Sequence, residues 1–242
     1  MPKPNLQFIA TQRAKFTQSI SLNPKVWTDK TGFKKLLSKF YNQSFLSIEN
    51  EQERIGNSFN FNPFNLDESN LVGLNYNLRN SFYFNKNLQN HSFTFTFGKN
   101  RNKQQFFIGN QENNIKLHQL DYAHKFKTFW LLEFMGKTSK NDLKTENFNN
   151  RNYTINTNEI QPKLSFSYND NNRFTAFYHY KNKENLLQDF EKLNQQKIGL
   201  EYFYISSKKN QISTNINMFI NDFKGNTNSP VAYQMLEGLQ PG

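Results

Sequence analysis

Cysteine is absent from all 242 residues, which excludes disulfide frameworks, thiol nucleophiles and Cys-based metal or redox centres. Valine, common in packed β cores, occurs only at Val26, Val72 and Val231. No apolar run nears the roughly 18 residues of a membrane helix. The opening Met1-Pro2-Lys3-Pro4-Asn5 lacks the charged-then-apolar order of a secretory signal. H-E-x-x-H, G-x-S-x-G, Walker and G-x-G-x-x-G motifs are missing as well. Hydrophobic residues make up only 36% and mean hydropathy is −0.85, poor material for a compact α/β enzyme.

What is present is aromatic: 26 Phe, 11 Tyr and 2 Trp among 39 Asn. Their periodic placement separates the chain from disordered sequences of similar polarity. Between Glu159 and Asp222 four segments alternate strictly. Ile160, Pro162, Leu164, Phe166 and Tyr168 share one parity, and Phe174, Ala176, Tyr178 and Tyr180 follow. Then come Ile198, Leu200, Tyr202 and Tyr204, and finally Ile212, Thr214, Ile216, Met218 and Ile220. A period of two over ten residues is a strand with one apolar and one polar face. The links alternate short (Asp170–Asn172, Ser207–Lys209) and long (Lys183–Asn194, Phe223–Ser229), as in an up-and-down transmembrane barrel. Ten residues at about 3.3 Å each, tilted near 45°, span roughly 23 Å, close to the apolar band of such barrels.

Along the rest of the chain, Leu6 to Leu22 predicts a first strand ending near Asn23-Pro24. Thr28 to Gln43 changes period, with Phe33, Leu36, Leu37, Phe40 and Tyr41 on one helical face and Asp29 or Thr31 as cap. This predicts one short helix near residues 31–41, serving as a connector on the sheet or as a membrane-surface or pore-capping helix. Ser44 to Ser69 reads as acidic and irregular, with Phe59 and Phe61 hinting at a short strand. Strands are expected around Leu74–Phe84, Phe93–Phe97, Phe106–Ile108, Leu120–Phe126 and Trp130–Gly136, with a turn at Gly98–Asn102 and the longest polar loop at Lys137–Asn152. The count is roughly ten. No linker or fixed-period repeat divides 1–242, which reads as a single β-barrel-like region. The expected fold is all-β: an antiparallel up-and-down meander forming a transmembrane β-barrel or open barrel fragment.

Candidate chemistry is sparse, and no catalytic, cofactor-binding or metal residue is assigned. His118 and His124 share parity, but six residues set them about 20 Å apart, too far for one metal. Acids cluster at Glu49, Glu51 and Glu53 and at Glu184, Asp189 and Glu191; they read as solvated loop residues or as weak divalent-cation ligands between lipopolysaccharide heads. Lys163, Arg173, Lys181 and Lys197 fall on the polar parity of neighbouring strands. In a barrel that cluster lines the lumen and favours anions; in a soluble sheet it holds a sugar or a strand of nucleic acid. Tyr168, Phe174 and Tyr204 beside the short turns, with Tyr178 and Tyr180 toward a long loop, read as an aromatic girdle. The net charge of +11 and pI near 9.6 point to an anionic neighbour or to a composition bias toward Lys and Asn.

Two runs carry a family likeness: Gly73-Leu74-Asn75-Tyr76-Asn77-Leu78-Arg79 and Ser229 to Gly242, within Asn-, Lys- and Phe-rich strands. The chain resembles the β-barrel region of large outer-membrane proteins from Bacteroidota-type bacteria. That resemblance implies the bacterial outer membrane as location, and import, export or surface adhesion as role. It also implies a fragment of a longer chain, because such proteins end in a strand with a terminal aromatic and this one ends in Gly242. The expected function is a pore, receptor or scaffold at the cell envelope, without catalysis or cofactor. Expected partners are outer-membrane lipid and lipopolysaccharide, not nucleic acid, with envelope protein partners unspecified. The alternative is a secreted soluble β-sheet module that binds an anionic or carbohydrate ligand through its basic aromatic face.

Overall fold

The computed structural model of the chain describes residues 9–23, 32–55, 62–64, 71–86, 90–127, 129–169, 171–187, 191–207, 210–226 and 230–231. Alternation translates into one antiparallel sheet of ten strands in chain order: β1 (Ile9–Leu22), β2 (Phe40–Ile55), β3 (Leu71–Phe84), β4 (His91–Phe106), β5 (Gly109–Phe126), β6 (Trp130–Thr145), β7 (Tyr153–Asn169), β8 (Asn172–Asn185), β9 (Lys192–Ser207) and β10 (Asn210–Lys224). Each is hydrogen-bonded to the next. β1 and β10 are the two edges, and among the described residues neither has a second partner, so the meander is open. A single helix, α1 (Gly32–Leu37), lies between β1 and β2.

Burial is reversed relative to a soluble sheet. On β7 and β8 the polar positions are covered and the apolar ones bare: Glu159, Ser165 and Thr175 are 8%, 6% and 2% exposed, against 45%, 39% and 44% for Ile160, Leu164 and Phe174. Among the described residues, contacts of substance join strands adjacent in the sheet, and β6 with the 3-10 turn that follows it, so no second layer of described residues covers the polar face. That face is covered because the sheet curls toward it, which makes the polar face concave and the apolar face convex. Leu117, Leu131, Met135 and Phe177 also share the concave parity, so the interior is mixed and the exterior band is the purer surface.

Two local structures cover the ends of these faces. Asn62–Phe64 lies over the convex face of β1–β3, where Phe64 packs on Phe16 at 5.1 Å and Asn50 donates to the carbonyls of Asn62 (3.3 Å) and Pro63 (3.1 Å). Ile48, Leu71 and Leu74 are buried beside it. On the concave side Val231 joins Ile155 and Leu193 in a small apolar cluster flanked by Tyr153 and Phe223.

The strands are longer than the pattern suggests, running from 14 residues in β1 to 18 in β5. Five expectations fail for that one reason. Gly98–Asn102 is not a turn but the middle of β4, whose true turn is Phe107–Ile108 before Gly109 (φ 115°). Ser44 to Ile55 is not irregular but belongs to β2, and Lys137–Thr145 is not loop but β6, followed by a 3-10 turn at Asn149–Arg151. The helix is cut to six residues because Phe40 and Tyr41 are already in β2. In Gly98–Asn102, Glu49–Glu53 and Lys137–Asp142 both faces carry mostly polar side chains, so the period of two vanishes while the ladder continues. The long link before β9 shortens to 186–191 for the same reason. Leu6, Phe8, Phe59, Phe61 and most of the Ser229–Gly242 run lie outside the described residues.

Interior packing is tightest where the Phe177 ring lies across Gly199: a Cβ at Gly199 would run into that ring and sit 2.7 Å from Asn217 Oδ1. Gly199→Val is therefore expected to destabilise the fold by about 2 kcal/mol, the range for overpacking. Adding Phe177→Ala should recover part of that loss. Urea unfolding of micelle-folded protein reads both; strictly additive losses would mean the two residues do not meet.

Candidate functional site

Strand register decides which predicted residues meet. All four cations of the predicted cluster lie on the concave face, yet none stands directly opposite another. Lys163 Nζ is 3.1 Å from Glu133 Oε2, its register partner on β6. Lys181 Nζ is 3.4 Å from Glu159 Oε1, again a register partner. Arg173 sits over the Phe203 ring at 5.7 Å, and Lys197 lies between Phe177 (5.2 Å) and Phe219 (5.1 Å). Cations with carboxylates or ring faces in place form an internal lattice, not a vacant anion trap.

Glu159 is the hub of that lattice. Lys137 from β6 donates to its Oε1 at 3.4 Å and Lys181 approaches the same oxygen from β8, while His179 Nε2 lies 3.7 Å from Oε2. Pro162 interrupts the β7–β8 ladder nearby, since it has no N–H to donate, and Gln161–Pro162 drop out of the pairing. Hydroxyl pairs complete the concave face: Ser81 with Thr96 at 2.9 Å and Ser165 with Thr175 at 3.1 Å. A shallow recess of about 330 Å³ opens on it, bordered by Ser92, Thr94, Asp121, Glu133 and Lys163.

On the convex face the predicted girdle residues share one surface. Tyr168 (73% exposed) and Phe174 stand beside the turn at Asn171, and Tyr204 lies near the end of β9. Tyr178 and Tyr180 sit farther inside β8 than expected, since that strand continues to Asn185; their hydroxyls donate to Gln196 (3.2 Å) and Asn194 (3.3 Å). The belt at the margin of the β3–β4, β5–β6 and β7–β8 links is far wider than the sequence suggests. Phe40 meets Phe84 (5.1 Å), Phe84 stacks on His91 (6.1 Å), His91 stacks on His124 (6.0 Å), and His124 meets Phe126 edge-to-face (4.1 Å). Phe126 is in register with Trp130, which meets Phe166 at 4.6 Å, and Phe166 is in register with Phe174. One row of rings therefore crosses β2 to β8.

The histidines find their role here. His91 and His124 are belt members, His118 stacks on Phe95 at 6.5 Å, and only His179 is concave. Among the described residues no group of three His, Asp or Glu converges as metal ligands would. The acids at Glu49, Glu51 and Glu53 are strand residues of β2, not loop acids, and Glu49 pairs with Arg13 and, at 3.7 Å, with Lys15. Glu191 is buried and accepts a bond from Asn185 (2.8 Å); Asp189 lies outside the described residues. Sequence reasoning passed over Phe177, Phe203 and Phe219 because they break the apolar parity. Their signal is cross-strand: all three face a cation directly in register, Lys163↔Phe177, Arg173↔Phe203 and Lys197↔Phe219.

Comparison with protein-family models, curated proteins and solved structures finds no match to this chain. The site is therefore read from its own geometry.

Replacing Glu159 by Gln removes the carboxylate that two lysines share. We expect Glu159→Gln to cost about 2 kcal/mol, the scale of lost charge-assisted bonds, and Lys181→Met to cost less because Lys137 keeps Glu159 paired. Denaturant midpoints of the two variants test this ordering, and equal losses would remove Glu159 from the centre of the lattice.

Proposed function

We propose that the chain is a β-barrel region of an outer-membrane protein, acting as pore, receptor or scaffold and not as an enzyme. The observation that carries the reading is the reversed amphipathicity. A band of Phe, Ile, Leu and Tyr faces outward, polar side chains face inward, and among the described residues nothing covers the band beyond β3, Asn62–Phe64 lying over β1–β3 alone. Exposing such a surface to water is costly at roughly 25 cal/mol per Å²; facing acyl chains it costs nothing, which is the arrangement of transmembrane barrels.

Three further features support it. Tyrosine, tryptophan and histidine rings line the ring-belt margin of the band, where amphipathic rings suit a membrane interface. The apolar convex positions of β7, Ile160 to Tyr168, cover eight steps, roughly 27 Å along the strand and about 20 Å along the normal at 40° tilt. The concave face is wet and charged but internally paired, as suits a lumen wall. The soluble-module alternative needs free cations on that face, and the four that would bind are already engaged with Glu133, Glu159 and aromatic rings.

Two measurements test the proposal. In cells expressing the protein in its natural full-length context, the band is expected in the outer membrane and should shift on a gel when boiled; a soluble band without a shift overturns the reading. In vesicles, Trp27→Phe leaves Trp130 as the only tryptophan. Its fluorescence should be quenched more by lipids brominated near the headgroup than by those brominated deep in the chains. Absence of quenching by either would mean that the belt does not touch lipid.

A further inference from the structure

The convex face carries a second row that the outer-membrane reading does not use. Lys99 on β4, Lys116 on β5 and Lys140 on β6 are direct register partners, Lys99↔Lys116 and Lys116↔Lys140. All three are exposed and share the outward parity of Phe95, Leu120 and Phe134. Side chains directly opposite in an antiparallel pair lie about 5 Å apart at Cβ, and like charges there are destabilising. Three lysines in a line on adjacent strands thus form an unfavourable arrangement that a bound anion would relieve.

The neighbours supply that anion only in part. Arg101, one row beyond, takes Glu112 through two bonds of 2.7 and 3.1 Å. Asp142 reaches Lys140 at 3.5 Å but also accepts a bond from Thr154 at 2.8 Å. Lys99 lies 5.9 Å from the Tyr76 ring, and among the described residues Lys116 has no carboxylate partner. Beyond the apolar band, the convex positions of β4–β6 hold Lys99, Arg101, Lys103, Lys116, Lys140 and Lys144 against only Glu112 and Asp142.

Position names the ligand class. One row from the lysines, toward the ring-belt margin, are Phe97, His118 and Thr138; the next begins the apolar band with Phe95, Leu120 and Gly136. A ligand with phosphates on the lysines therefore has its apolar part directly against Phe95 and Leu120. Resting on the membrane reading above, we propose that Lys99, Lys116 and Lys140 bind the phosphate groups of a membrane lipid whose acyl chains lie on the adjoining apolar band. The two margins of the band then differ: rings at one, a phosphate site at the other.

The test uses the full chain in nanodiscs and in detergent, with lipid A, phosphatidylglycerol and zwitterionic phosphatidylcholine of matched acyl chains as probes, and inorganic pyrophosphate as the free anion. Failure to enter nanodiscs at all would overturn the membrane reading itself. For incorporated protein, lipid binding is read by native mass spectrometry, and thermal stability is read in each lipid. Wild type should hold at least one anionic lipid about tenfold more tightly than the K99Q/K116Q/K140Q variant, whereas K99R/K116R/K140R should retain it. In phosphatidylcholine the Gln variant should melt at or above wild type, because the lysine repulsion is gone. Equal anionic-lipid retention by wild type and the Gln variant overturns the proposal, as does pyrophosphate binding as tightly as lipid.

Discussion

The structure depends on a polar sheet face that must be enclosed by the sheet itself. Ten strands in sequence order spend their N–H and C=O groups on one another, so the ladder is interrupted only at Gln161–Pro162 and a few register shifts, and ends along the outer edges of β1 and β10. What then fixes shape is where the side chains are directed. Covering Glu159, Thr175 and Ser165 without a second layer requires curvature toward them, and the right-handed twist of strands favours coiling of such a sheet. Curvature in turn spreads the apolar face outward. The same geometry that pairs Glu159 with Lys137 and Lys181 therefore presents Ile160 and Leu164 to the surroundings. In lipid this is the only arrangement of strands that leaves no unpaired backbone, provided the edges are joined.

The interior lattice and the exterior belt follow from register and not from any one strand. Lys163 finds Glu133 because β6 and β7 pair with those residues opposite; one step of slip in β7 would turn Lys163 toward the apolar side, away from Glu133. Likewise the ring belt exists because Phe84, His91, His124, Phe126, Trp130 and Phe166 fall near one level on successive strands. Gly199 belongs to the same logic. Phe177 is an aromatic on the wet face, and it fits only because its register partner on β9 has no side chain.

How much of this was legible in the sequence depended on whether a strand segment had two different faces. Where one face is apolar and the other polar, as in Ile160–Tyr168, Phe174–Tyr180 and Ile198–Tyr204, the alternation located strand and face together. Where β2, β4 and β6 run past the apolar band both faces are polar, and Gly98-Lys99-Asn100-Arg101-Asn102 looks like a turn although it is bonded on both sides. The lumen cluster was legible as a set of residues on one face but not as pairs. Pairing requires the offset between strands, which the links set and parity does not reveal. Phe203 and Phe219 were invisible for the converse reason: a residue that breaks the pattern has meaning only beside its cross-strand neighbour.

That distinction bears on the charge of +11. A mere bias of composition toward lysine would scatter cations without regard to partners. The cations predicted for the concave face are instead each matched, to a carboxylate 3.1 or 3.4 Å away or to a ring. On the convex face Lys99, Lys116 and Lys140 are placed against one another. On the concave face the chain supplies its own counter-charges. At the edge of the outer band Lys140 has Asp142 at 3.5 Å and Lys99 the Tyr76 ring at 5.9 Å, but Lys116, between them, has no carboxylate partner among the described residues. Only Glu112 and Asp142 offset the cations of that margin, and on the membrane reading a phosphate is the commonest anion at that depth.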